Sequence, residues 1–294
     1  MPSAPIIPFP ALACPLDGNA LAPHGASWRC AAGHSFDVAS QGYVNLLPVQ
    51  NKRSRDPGDS KEMIAARRRF LEAGVYQPIA QAVTEATLAG LSPESTADCL
   101  DAGCGEGYYL RQLATAATGR GQALALLGLD ISKWAVLAAA KQDNHTRWVV
   151  GSNANLPVLP GTLDRVLCMF GFPVYPEFAR VLRPGGLLIQ VDAGPDHLRE
   201  LREIIYPSLK PERPASPAAP AGFRALPAAE PVRYTLALSS PEQIADLLVM
   251  TPHLYRASAE GRARATTLKH LSLTVDVRLT RFERNCAEAA KVEA

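Results

Sequence analysis

Asp101-Ala102-Gly103-Cys104-Gly105-Glu106-Gly107 sets an acid ahead of three alternating glycines. The apolar residues before it read as a strand that Asp101 closes, and those after it as a helix, so the glycines form the turn between them. Three missing side chains let a ligand approach the backbone closely, and the N–H groups opening the helix point at whatever fills the turn. A second strand, predicted over 123–129, ends in Asp130, an acid placed to accept hydrogen bonds from ribose hydroxyls. Asn153, after the third strand, stands where an adenine-edge contact would come. Glu106 either lies beside the ligand or serves the helix dipole. The chemistry this pattern suits is the holding of a nucleoside-type cofactor; the alternative is a βα turn with no ligand.

Two further groups carry chemical meaning. Cys14, Cys30 and His34 are spaced like part of a Cys-x2-Cys, Cys-x3-His zinc clip whose second position is Asp17. A carboxylate oxygen is an accepted zinc ligand, so all four residues are candidate ligands. The alternative is a lapsed site whose loop is held by packing of Trp28, Phe36 and Tyr43. Residues 51–70 carry seven basic side chains, among them Lys52, Arg53, Arg55, Arg67 and Arg68, against three acidic ones. That local excess is larger than the net +2 of the whole chain. It reads either as a solvated helix face or as a surface for RNA phosphates. Tyr43, Phe170, Phe172 and Tyr175 are candidates for stacking a splayed base, or are core.

The elements that must position these groups follow from pattern. Residues 1–13, rich in Pro and Ala, read as a flexible tail, and 14–50 as a small module with too few apolar runs to build its own core. Residues 51–92 read as a helical linker, capped at Asp59-Ser60-Lys61-Glu62, with Gly74 ending the first helix and a second starting near Pro78. From 93 to 294 strands and helices alternate: strands near 97–101, 123–129, 147–150, 164–170 and 187–192, and helices near 106–117, 132–141, 176–182 and 196–206. Right-handed crossovers turn this into a parallel sheet with the ligand at the carboxyl ends of the strands. Arg183-Pro184-Gly185-Gly186 reads as a turn, and the Pro/Ala-rich stretch 207–233 as a loop or mobile flap. A strand at 232–238, a helix at 241–249 and an alternating strand from Leu271 to Leu279 complete the domain.

The 294 residues are 47% hydrophobic and 20% charged, which suits a globular protein with a sizeable core. No apolar run is long enough to span a bilayer. Leu12-Ala13-Cys14 resembles a lipoprotein processing site, but no basic residue precedes it and four prolines interrupt the apolar run. The expected location is the cytoplasm. The six cysteines do not suggest a disulfide framework.

The acid-glycine turn with Asp130 resembles the S-adenosylmethionine site of a Rossmann-like class I methyltransferase. A longer series sharpens this. Cys14-Pro15-Leu16, Gly33-His34-Ser35-Phe36-Asp37 and Gly42-Tyr43-Val44-Asn45-Leu46-Leu47-Pro48 come first. Lys52-Arg53-Ser54-Arg55-Asp56-Pro57-Gly58-Asp59, Ala66-Arg67-Arg68 and Gly105-Glu106-Gly107-Tyr108-Tyr109 follow in order. This series is similar to the bacterial 23S rRNA guanine-N1 methyltransferases of the RlmA type, densely over about 14–206 and more loosely beyond.

The resemblance implies an α/β methyltransferase sheet with a small zinc-ribbon-like N-terminal module. It also implies S-adenosylmethionine and zinc as cofactors, a guanine in a 23S rRNA hairpin loop near the exit tunnel as target, and a homodimer. Tyr76 and His197 match family positions that contact the cofactor, beside Asp101, Gly103, Gly105, Glu106, Asp130 and Asn153. Two departures stand out: Asp17 in place of a cysteine, and the longer Phe170-Gly171-Phe172-Pro173-Val174-Tyr175-Pro176 segment where a Tyr-Ala-Pro-like one is expected. No residue is singled out as a catalytic base, Asp192 at the tip of the fifth strand included. The other open readings are a small-molecule methyltransferase of this fold and a non-catalytic RNA-binding relative.

Overall fold

The computed structural model describes residues 5–51, 54–209, 218–251 and 253–286. The chain runs β1 (Ile6–Pro8), β2 (Ala22–His24), β3 (Ser27–Arg29), β4 (Ser35–Asp37), β5 (Val44–Asn45), α1 (Lys61–Glu72), α2 (Gln77–Leu88), β6 (Ala97–Ala102), α3 (Tyr108–Arg120), β7 (Leu124–Asp130), α4 (Lys133–Ala140) and β8 (Arg147–Val150). It continues through β9 (Leu163–Met169), α5 (Tyr175–Val181), β10 (Leu182–Ala193), α6 (Arg199–Ile205), β11 (Phe223–Ala225), β12 (Val232–Leu238), α7 (Pro241–Met250), α8 (His253–Arg256), α9 (Ala259–Thr266) and β13 (Leu271–Arg284).

One sheet dominates, in the order β11-β13-β10-β9-β6-β7-β8-β5. From β10 to β5 its neighbours are parallel. β6 and β7 are buried along almost their whole length, and β7 is a near-continuous apolar run, because α1–α4 pack on one face and the N-terminal segment with α5 on the other. The chain steps outward from β6 through β7 to β8, then returns to the other side of β6 with β9 and β10. This reversal between β6 and β9 opens a crevice at the carboxyl ends of the strands. β13 closes the far side antiparallel to β10, and β12 pairs with its first half.

Several expectations are corrected. Residues 5–13 are not a loose tail. β1 pairs in parallel with Leu124–Leu126, the part of β7 that β8 leaves open, since β8 begins opposite Leu127. Phe9 and Leu12 are fully buried. Prolines are tolerated here because β1 is an edge strand with few N–H groups to donate. The stretch 207–233 is not all loop, for Phe223–Ala225 forms β11 against the end of β13 and Phe223 is buried. Arg183–Gly186 lies inside β10 as an irregularity between Leu182 and Leu187, with Gly185 at φ 80°. The last strand extends to Arg284, and the buried Asp276 on it accepts the Asp196 N–H at 3.0 Å.

The N-terminal segment carries its own three-stranded sheet, β2-β3-β4. Cys14, Leu21, Trp28 and Cys30 nevertheless pack in one apolar cluster with Leu127 and Val149 of the large sheet, and β5 extends that sheet beside β8. A segment with little apolar content of its own thus borrows a core. Among the described residues no helix is long and apolar enough to cross a membrane.

Candidate functional site: a cofactor crevice and a metal cluster

The glycine turn is fastened to the neighbouring strand. Gly103 N–H and Cys104 N–H both donate to Leu129 O, at 2.8 and 2.9 Å. Gly103 has φ 102°, and no atom lies within 4 Å of where a Cβ would stand, so its exposed side is open space for a ligand. Gly107 opens α3 at φ 84°, and a Cβ there would meet Trp148 at 2.6 Å. The first glycine therefore serves access and the third serves packing.

Asp130, at the tip of β7, does more than wait for a ligand. Its Oδ2 accepts from Gly105 N–H at 2.9 Å and its Oδ1 from Ser132 N–H at 2.8 Å. It thereby ties the turn to the start of α4, and lone pairs remain on both oxygens. Burial pushes its carboxyl up from the usual range.

Asp101 is fully buried, and neither of its oxygens has a partner. Burial, with the Asp130 charge next, raises its carboxyl to about 8. Beside it Asn153 donates through Nδ2 to Ala102 O at 3.3 Å and leaves a buried, unpartnered Oδ1. Orphaned buried acceptors are costly unless a ligand satisfies them. A cationic, donor-bearing cofactor fits this end of β6, and S-adenosylmethionine carries both an ammonium and a sulfonium.

Asp101 has a measurable consequence without any ligand. Between about pH 4, where an unfolded aspartate ionises, and the raised folded value near 8, the folded state holds a proton that the unfolded chain has lost. Stability therefore falls as pH rises through this window. Asp101→Asn is expected to flatten that slope, so that its thermal midpoint gains on the wild type from about pH 5 to about pH 8. A parallel pair of profiles would refute the assignment.

Glu106 is also buried, but its Oε2 accepts from Arg111 at 2.7 Å and from Gln142 at 3.1 Å, while Oε1 is unpartnered. Tyr76 and His197, far apart in sequence, meet around Phe170. The Phe170 and His197 rings stack at 5.8 Å and 25°, and Tyr76 lies 6.5 and 6.3 Å from them. His197 Nδ1 accepts the Asp276 N–H at 3.3 Å, and burial, then the nearby His253, lowers its pKa to about 4. The ring is neutral near pH 7, and this bond assigns its proton to Nε2. Phe170 sits at φ 51°, a strained conformation for a residue with a Cβ and one that clusters at functional sites. No spacing rule reveals that contact. Of the other aromatic candidates, Tyr43 is buried, Tyr175 donates to Gln190 Oε1 at 3.0 Å, and Phe172 is 87% exposed.

The metal candidates converge. The ligand atoms of Cys14, Asp17, Cys30 and His34 all lie within 4.8 Å of one another. Asp17 Oδ2 is 3.1 Å from His34 Nδ1 and 3.3 Å from Cys30 Sγ, and His34 Nδ1 is 3.4 and 3.5 Å from the two sulfurs. Ordinary zinc bond lengths in a tetrahedron separate ligands by roughly 3.3–3.8 Å, so this two-thiol, one-imidazole, one-carboxylate set fits the ion. Asp17 thus converges with the other three candidate ligands. Purified protein is expected to hold one zinc per chain, and Cys30→Ser or a strong chelator to release it and lower the melting temperature. A chelator that leaves the melt unchanged would argue for packing alone.

The basic run is divided by the fold. Lys52 and Arg53 lie outside the described residues. Arg55 and Arg68 are exposed, with Arg68 3.8 Å from Glu72. Arg67 turns inward to Asp59 and to Met250 O, and Arg69 pairs with Asp246.

A crevice at the reversal point of a parallel sheet, a glycine turn leading into α3 and an acid ending β7 define a Rossmann-like S-adenosylmethionine-dependent methyltransferase. The comparisons agree: residues 99–186 match the family described as a methyltransferase domain, and residues 12–55 the RlmA N-terminal zinc ribbon. A Bacillus subtilis protein, YxjB, named as a candidate 23S rRNA (guanine-N(1)-)-methyltransferase, is 33% identical over 92% of this chain and 96% of its own length. A similarly named Micromonospora griseorubida protein is 34% identical over 93% and 97%. The 23S rRNA (guanine(748)-N(1))-methyltransferase of Streptomyces fradiae is 36% identical over 66% and 67%. The chain belongs to this family of RlmA-type 23S rRNA (guanine-N1)-methyltransferases.

Proposed function

We propose that this protein transfers a methyl group from S-adenosylmethionine to N1 of a guanine in a hairpin loop of 23S rRNA. The observation that carries the reading is the full-length relationship to proteins named for that reaction, joined to a crevice whose unpartnered acceptors suit a cationic cofactor. The bound cofactor supplies an electrophilic methyl on a positively charged sulfur.

The protein's part is alignment. The open side of Gly103 and the backbone at Gly105 receive the amino-acid portion, Asp130 the ribose hydroxyls and Asn153 the adenine edge. Asp101 supplies acceptors, and Tyr76, His197 and Glu106 complete the surroundings. With the cofactor bound, N1 would have to approach in line with the methyl–sulfur bond and would have to give up its proton to a base or to water. A loop guanine is cheaper to present than a paired one because less stacking is lost. Phe172, exposed at the carboxyl end of β9, and Phe170 beside it are the stacking candidates. Among the described residues, the exposed Arg55 and Arg68 are the candidates for contact with RNA phosphates. Action on rRNA supports a location in the cytoplasm, and the family resemblance supports a homodimer.

The test is methyl transfer from labelled cofactor to unmodified large-subunit rRNA, mapped by primer-extension arrest. N1 methylation blocks base pairing, so a single stop in a hairpin loop supports the reading. Cofactor binding with no transfer to rRNA would redirect it to a small-molecule substrate or to a non-catalytic binder.

A further inference from the structure

Arg67 belongs to the basic run that the sequence offers as an RNA surface, yet the fold aims it elsewhere. Its Nη1 lies 3.6 Å from the position of a Cβ on Gly105, in the middle of the cofactor turn. It is held there from two sides. Nη1 donates to Asp59 Oδ2 at 2.5 Å, and Nη2 to Met250 O, at the end of α7, at 3.0 Å.

The Asp59 side is itself anchored. Ser132 Oγ donates to Asp59 O at 2.7 Å, and Gly58, at φ 83°, is pressed so closely on α4 that a Cβ would meet Ile131 and Ser132 at 2.9 Å. A guanidinium has five N–H donors in a planar fork. Two atoms of the fork are tethered, and donors remain for a third partner. The other guanidinium at the turn, that of Arg111, is engaged by both the side chain and the carbonyl of Glu106.

We propose that Arg67 is the receptor for the α-carboxylate at the amino-acid end of S-adenosylmethionine. With the ribose at Asp130, that end runs along the turn, where this fork offers bidentate carboxylate recognition. Asp59 and the α7 carbonyl fix the plane of the fork before the ligand arrives, so binding loses little side-chain freedom. The proposal rests on the cofactor reading and is independent of the RNA substrate.

The test pairs a ligand truncation with a residue truncation. Calorimetry would compare S-adenosylmethionine with decarboxylated S-adenosylmethionine, which keeps the sulfonium and the nucleoside. Wild type is expected to prefer the carboxylated ligand by about 10- to 100-fold, the range for a hydrogen bond to a charged group. Arg67→Met is expected to bind both ligands nearly alike. Should that variant not fold, Arg67→Lys, which keeps the charge without the fork, is expected to show an intermediate gap. A wild type indifferent to the carboxylate, or a folded variant that keeps the full gap, overturns the proposal. A wild type that binds neither ligand overturns the cofactor reading as well, whereas failure on rRNA alone leaves this proposal standing.

Discussion

Asp130→Asn is expected to weaken S-adenosylmethionine binding by about 30- to 100-fold, equivalent to about 2–3 kcal/mol. The reason is double. Both carboxylate oxygens already accept backbone N–H groups, Oδ2 from Gly105 and Oδ1 from Ser132. An asparagine has one acceptor oxygen, so its amide N–H2 must face one of those two donors. Either the glycine turn or the start of α4 then loses its tether at the same time as the ribose loses an acceptor. Titration of the cofactor into variant and wild type, with melting curves of both, would separate the two losses. Wild-type affinity in a variant that melts normally would remove Asp130 from the site.

The second large effect lies beneath the site. Gly128→Ala is expected to destabilise the protein by about 3 kcal/mol or more, at the upper end for overpacking a core. A Cβ on Gly128 would stand 2.2 and 2.4 Å from two ring carbons of Trp148 and 3.2 Å from Cys104 Sγ. Trp148 cannot step aside cheaply: it is buried, its Nε1 donates to Asp143 O at 2.7 Å, and its far edge fills the space over Gly107. A smaller ring should relieve the clash, so Trp148→Phe is expected to be milder in the Gly128→Ala background than alone. Denaturant midpoints of the two single variants and the double variant give the coupling directly. Simple additivity would mean that the collision is relieved elsewhere.

The glycines of the turn and Gly128 illustrate what pattern alone conveys. Gly103, Gly105 and Gly107 announce a ligand turn through their spacing with Asp101. Gly128 reads only as one more small residue in an apolar strand, and its necessity comes from an indole on a strand beyond it. The same division runs through the site. Asp101 and Asp130 were legible because each ends a strand in a known order. The Phe170–His197–Tyr76 cluster was not, because it joins three loops with no fixed spacing. Tyr76 and His197 were named through family resemblance, and Phe170 only as a base-stacking candidate.

The N-terminal third shows the limits of composition. Pro and Ala content suggested a loose tail, yet Phe9 and Leu12 are as buried as any core residue. What decided this was an unpaired stretch of β7, a vacancy created by the short β8 and invisible in residues 1–13 themselves. The Cys14–Asp17–Cys30–His34 cluster lies between these cases. Its four residues could be listed from spacing, but whether Asp17 stood with the others depended on where the loop carried it.

The sequence by itself determined the class of protein: alternating apolar segments impose a parallel sheet, and an acid-glycine turn at its edge imposes a nucleoside-type site, because both follow from local periodicity and backbone freedom. Only the tertiary structure decided the use of individual charged side chains. Arg67, Arg68 and Arg69 are adjacent and alike, and one lies on the cofactor turn, one is exposed beside Glu72 and one pairs with Asp246. Successive residues on a helix point about 100° apart, so the fate of each depends on what the fold brings to that side.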